Sequence, residues 1–76
     1  MGKLPQISGR DLAAVLRKEG WYEIGQRGSH LKLRKSISSL GGSTIIVPLH
    51  KTLKKGTLGA ILKYANISTE RLKELL

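Results

Sequence analysis

Gly28-Ser29-His30-Leu31-Lys32-Leu33-Arg34-Lys35 is the stretch whose reading decides the fold. Strand side chains alternate between faces. Leu31 and Leu33 therefore share one side, while His30, Lys32 and Arg34 share the other. A strand with one apolar and one cationic face belongs in an antiparallel sheet covered on one side only. The rest of the chain must supply neighbouring strands and an apolar cover.

Both are legible on either side. Upstream, Trp21-Tyr22-Glu23-Ile24 is rich in β-formers and predicts a first strand, with Gly25-Gln26-Arg27-Gly28 as a glycine-bracketed turn. The second strand runs from about Ser29 to Lys35. Downstream, the small residues from Ser36 to Gly42 predict a mobile loop. Thr44-Ile45-Ile46-Val47-Pro48 follows as a third strand, stopped by its proline. Short connections make this a meander with the second strand in the middle.

The cover comes from helices. Ser8 as N-cap with Asp11 at the capping-box position opens a helix over residues 9–19, and Gly20 closes it in the left-handed conformation. Leu12, Val15 and Leu16 recur at helical spacing. Leu49 to Gly56 reads as a basic connector. A second helix then starts at a Gly56 or Thr57 cap, carries Leu58, Ile61 and Leu62 on its buried stripe, and ends near Asn66. Ser68 starts a short third helix with Leu72, Leu75 and Leu76 apolar. The order is α-β-β-β-α with a small C-terminal helix, an α+β fold laid out like a double-stranded-RNA-binding domain. One domain spanning residues 1–76 is expected, and so small a chain buries only roughly 60% of its unfolded surface.

Composition narrows the partners. Fourteen Lys and Arg against five Asp and Glu give a net charge of +9 and a pI near 10.4, which points to a polyanion, nucleic acid first. The basic residues do not fall on one face of a long amphipathic helix, which argues against a membrane surface. With no Cys, neither a disulfide framework nor a thiolate metal site is available. No apolar run approaches the ~20 residues that span a bilayer. The first residues lack the apolar core of a signal peptide, and Gln6 stands where a myristoylation signal has Ser or Thr. A cytoplasmic protein is expected.

The chemistry follows from parity. His30 lies with Lys32 and Arg34, away from the core face, and an unperturbed imidazole titrates near ~6.5. RNA carries its own nucleophile, the 2′-hydroxyl. Cleavage needs a base for that proton, an acid for the leaving oxygen, and positive charge at the phosphate. Lys32, Arg34 and Arg27 can supply the charge. The plain alternative, an exposed polar histidine on the sheet, stays open at this point. Ser29 can position a phosphate; as a hydrolase nucleophile it lacks an acid to orient a His–Ser pair.

His50 lies just past the third strand, near the start of the second, as a second acid/base group or a simple loop histidine. Two histidines without cysteine make a poor metal site. Lys54 and Lys55 precede a helix, where they oppose its dipole unless an anion binds the free N–H groups, or form a solvated basic loop. In Ile45-Ile46-Val47, either Ile46 or the pair Ile45 and Val47 points to the open face, to be covered by the Ser36–Gly42 loop or by another polypeptide.

The residues resemble a known family, the HicA-type toxins, small messenger-RNA-cleaving partners of HicB antitoxins. The resemblance covers roughly residues 7–66. It rests on Ser8-Gly9, Gly20-Trp21, Arg27-Gly28-Ser29-His30, Val47-Pro48-Leu49-His50, and Lys55-Gly56-Thr57-Leu58 leading into Ile61-Leu62. It implies a metal-independent endoribonuclease without a cofactor, on the same fold. The catalytic histidine corresponds to His30, and Gly28 and Ser29 belong to the same motif. It also implies RNA and a HicB-type antitoxin as partners, with the toxin monomeric alone and hetero-oligomeric with its antitoxin. Trp21 stands where the family often has Phe, and Leu31 where a second histidine often follows the motif. The competing readings are a non-catalytic RNA-binding module on the same basic face, and an interaction protein that docks another chain on its open sheet.

Overall fold

The computed structural model describes residues 3–38 and 41–76. The elements run α1 (Gly9–Lys18), β1 (Tyr22–Arg27), β2 (His30–Ser38), β3 (Gly41–Pro48), α2 (Lys55–Ala65) and α3 (Thr69–Leu75). The strands form an antiparallel sheet in the order β1-β2-β3, so the predicted meander and α+β class hold.

α1 begins as its residues require. The Ser8 hydroxyl accepts the Asp11 N–H at 3.0 Å, and the Asp11 carboxylate accepts the Ser8 N–H at 3.3 Å. Gly20 closes the helix at φ +96°. The buried set includes Leu12, Val15 and Leu16 of α1, Leu31 and Leu33 of β2, Ile45 and Val47 of β3, Leu58 and Leu62 of α2, and Leu72 of α3. Parity is thus settled for the apolar run: Ile46 is the residue left outside, 54% exposed.

Three expectations change. β1 continues to Arg27, so Gly25-Gln26-Arg27 is strand and the turn is the pair Gly28-Ser29. Gly28 takes φ +59° and Ser29 does not, the pattern of two-residue hairpins that accept a left-handed residue first. Next, β2 and β3 reach further than predicted: Ser36 pairs with Gly42 and Ser38 with Gly41. Residues 36–38 and 41–42 are therefore strand, because a long antiparallel ladder recruits small residues that propensity alone assigns to a loop. The rest of that predicted loop, residues 39–40, lies outside the described residues, as does the Met1-Gly2 start.

The third change is at α2, which starts two or three residues early. Its N-cap is Lys54, with no side chain capping it, and neither Gly56 nor Thr57 plays that part. The connector before it is pinned: Leu53 is buried and its N–H donates to the Ile7 carbonyl at 2.8 Å, so the helix starts as soon as that anchor releases the chain. α3 starts at the expected Ser68 cap, and of its apolar residues Leu72 is fully buried, Leu75 half-buried and Leu76 exposed. A seven-residue helix turns one narrow stripe inward. α3 is tied to α1 by polar contacts as well. Lys18 Nζ donates to the Leu75 carbonyl at 2.6 Å, and Arg71 pairs with Glu19 at 3.1 Å. The hydrogen bond to Glu19, and then Glu19's charge, raise the Arg71 guanidinium above its ordinary pKa.

Candidate nucleic-acid interface

The second strand presents His30, Lys32 and Arg34 on the face that no helix covers. The ladder fixes their neighbours. His30 sits opposite Arg27 of β1 and Pro48 of β3, Lys32 opposite Gly25 and Ile46, and Arg34 opposite Tyr22 and Thr44. Directly opposed residues of an antiparallel pair point to the same side.

Arg27 reaches this face through an irregularity. Glu23 pairs with Leu33 and Gly25 with Lys32, leaving Ile24 as an extra residue in β1. Such a bulge shifts side-chain parity by one. Without it, Gly25 and Arg27 would point toward the helices and Gln26 outward. With it, Arg27 stands beside His30, and Glu23 and Gln26 turn toward α1, where Glu23 pairs with Arg17 at 3.2 Å.

The result is a shallow depression of about 640 Å³ lined by Gly25, Gln26, Arg27, His30, Lys32 and Ile46. Its rim carries two cations, one imidazole and no carboxylate. The hairpin is braced by Gln26, whose side-chain amide donates to the Gly28 carbonyl at 3.0 Å, and by Ser29, whose carbonyl accepts the Leu49 N–H at 2.6 Å. Arg34 lies further along the strand, half-buried, with its guanidinium in a long 3.5 Å contact to Thr44 Oγ1.

The candidates named from sequence thus separate into groups. Arg27, His30 and Lys32 meet in one depression, with Gly28 and Ser29 forming the turn that holds them. Arg34 shares the face without lining the depression. His50 is exposed two residues beyond β3, and its carbonyl accepts the Gly9 N–H at 2.9 Å; it does not line the depression either. Lys54 and Lys55 stand exposed at the start of α2, a separate basic spot. Among the described residues no group of three His, Cys, Asp or Glu could hold a metal ion. Sequence reasoning missed Gly25 and Gln26 as lining residues, and it left Ile46 as one of two alternatives. The signal was hidden, since alternation within Trp21–Ile24 gives no hint that one residue is skipped.

The charge distribution has a further feature. All five carboxylates lie outside residues 24–69, a span that holds Arg27, Lys32, Arg34, Lys35, Lys51, Lys54, Lys55 and Lys63. Three of the five, Glu19, Glu23 and Glu74, pair with Arg17 or Arg71 on the α1, β1 and α3 side. β2, β3 and α2 carry no acid at all. Positive potential is therefore concentrated on the open sheet and the α2 side. No helix among the described residues is long and apolar enough to cross a membrane.

A family model, described as the HicA toxin of bacterial toxin–antitoxin systems, matches residues 9–67, more than three quarters of the chain. Neither the curated proteins nor the solved structures give a match. The matched segment runs from the first residue of α1 through β1, β2, β3 and α2, and so includes every residue of the depression around His30. The chain belongs to the HicA toxin family of bacterial toxin–antitoxin systems.

Proposed function

We propose that the chain is the ribonuclease toxin of its pair, cleaving messenger RNA at the depression around His30 and so stopping translation and growth. The observation that carries the proposal is the meeting of Arg27, His30 and Lys32 in one exposed, carboxylate-free depression. RNA lies on the open sheet with a phosphate between Arg27 and Lys32. His30 takes the proton of the neighbouring 2′-hydroxyl, whose oxygen attacks the phosphorus. The P–O5′ bond breaks as the leaving oxygen takes a proton from water, His30 gives the proton it took back to solvent, and the products are a 2′,3′-cyclic phosphate and a 5′-hydroxyl end. Arg27 and Lys32 stabilise the charge that grows on the phosphate oxygens during attack. The cleavage proposed here has relaxed sequence preference. The protein acts alone as a monomer, and a HicB-type antitoxin neutralises it by covering the same face in a hetero-oligomer.

The test is a comparison of wild-type protein with His30→Ala on a defined messenger RNA. A general acid/base contributes ~10²–10⁴-fold, so cleavage should fall by that order while RNA binding persists. An RNA with a single 2′-deoxy sugar at the scissile position should resist cleavage there. Intact cleavage by His30→Ala would overturn the assignment. Binding with no cleavage by wild-type protein would instead make the face a non-catalytic RNA-binding surface.

A further inference from the structure

The two edges of the sheet are treated differently. β1 is guarded: it is six residues long, interrupted by the Ile24 bulge, and bears Glu23 and Arg27. Short length, bulges and charges are the usual devices that stop one edge strand pairing with another chain. β3 has none of these three over its eight residues, Gly41-Gly42-Ser43-Thr44-Ile45-Ile46-Val47-Pro48, and its one proline, a further such device, stands at the last position, leaving residues 41–47 without it. It contains no charged side chain in a chain of net charge +9, and its centre is Thr-Ile-Ile-Val. An edge strand turns alternate N–H and C=O groups outward, and among the described residues no backbone hydrogen bond reaches those of β3 from outside the sheet.

Beside that edge runs a groove of about 200 Å³, lined by Thr44, Ile45 and Ile46 of β3 and by Ala60, Ile61 and Tyr64 of α2. It is below the roughly 300–1,000 Å³ of small-molecule sites and suits one large apolar side chain. Tyr64 is 60% exposed and Ile46 54%, so the groove's walls are themselves unpaired apolar surface. The surroundings are cationic throughout. Arg34 extends its guanidinium across to Thr44, Lys32 flanks Ile46, and Lys63 adjoins Tyr64, with no acid on β2, β3 or α2. A second copy of this chain would bring the same charges against themselves.

We infer that β3 is a docking edge for an acidic, extended segment of a partner polypeptide, which adds to the sheet as a fourth strand. Backbone hydrogen bonds to β3 give the segment its register. One apolar side chain enters the groove between β3 and α2. Carboxylates of opposite parity lie over the open face, about one strand spacing, ~4.8 Å, beyond Thr44 and within reach of Arg34. The inference concerns how a partner is held and does not depend on RNA cleavage, since the groove lies on the α2 side of β3 and the His30 depression on the β1 side.

The test uses the intact protein and an eight-residue synthetic peptide of alternating Glu and Val, the length of β3. The controls carry Lys in place of Glu, or Pro in place of alternate Val. Amide exchange followed by NMR should show the outward N–H groups of residues 43–47 protected by the Glu–Val peptide, ~10-fold at ten times its Kd. Both controls should give no protection. Ala60→Glu puts a carboxylate into the groove at an exposed helix position; it should abolish the protection and leave RNA cleavage unchanged. Equal binding of the Lys peptide, protection confined to the His30 face, or indifference to Ala60→Glu would each overturn the inference. So would protection of β3 in the protein alone at raised concentration, which would make a second copy the occupant.

Discussion

Arg27 owes its place beside His30 to one residue that does nothing chemical. Ile24 is the extra residue of the β1 bulge, and it brings Arg27 to the same face as the imidazole. The sequence shows the Gly-Ser-His motif and the parity of β2 plainly, because alternation of Leu with cations survives any change in strand length. It conceals the bulge, because a skipped residue leaves no periodic trace, and so Gly25 and Gln26 escape notice. Two substitutions separate the roles of nearby residues. His50→Ala should keep cleavage within a few-fold of wild type on a gel assay, since His50 does not line the depression. Trp21→Phe should leave the urea unfolding midpoint almost unchanged. Trp21 is buried with its Nε1–H unpaired among the described residues. An unmet donor costs ~1–3 kcal/mol, which offsets the apolar area the smaller ring loses.

At the scale of elements, the helices were easier to read than the ends of the strands. Ser8, Asp11 and Gly20 announce α1 because caps are local chemistry, satisfied within a few residues. Strand ends depend on a partner elsewhere in the chain, and the small residues at 36–38 and 41–42 join the ladder only because each faces the other. α1 also meets β3 at a point that no pattern reveals. A Cβ on Gly9 would collide with the Pro48 carbonyl oxygen and sit 2.9 Å from Leu49 Cα. Gly9→Ala should therefore destabilise the fold by ~1–3 kcal/mol in urea denaturation, the range of overpacked cores. Gly28→Ala strains the hairpin at φ +59° by roughly 1–2 kcal/mol, and slower cleavage should accompany that loss as His30 and Arg27 lose their alignment.

Across the whole molecule, the core and the charge divide the labour. Leu72 is fully buried although α3 lies wholly beyond the matched family segment, so Leu72→Ala should cost ~2–5 kcal/mol. A smaller loss would mean α3 is only an appendage. The net charge of +9 points to a polyanion from composition alone, and the absence of acids from residues 24–69 is legible there too, whereas the pairing of Glu19, Glu23 and Glu74 with Arg17 or Arg71 needs the structure. RNA affinity should fall steeply with salt, and Lys32→Glu should flatten that slope in a filter-binding titration. The contacts of α1 carry one more consequence, in time instead of space. This helix leaves the ribosome early, and a ten-residue helix is marginal by itself. The carbonyl that receives its first N–H belongs to His50, and the one that receives Lys18 belongs to Leu75. At synthesis rates of about 5–20 residues per second, the interval between those two is roughly one to five seconds. During it the cationic hairpin is already made while its apolar cover is incomplete. A partner present at the ribosome could meet the toxin before the toxin can fold, and therefore before it can act.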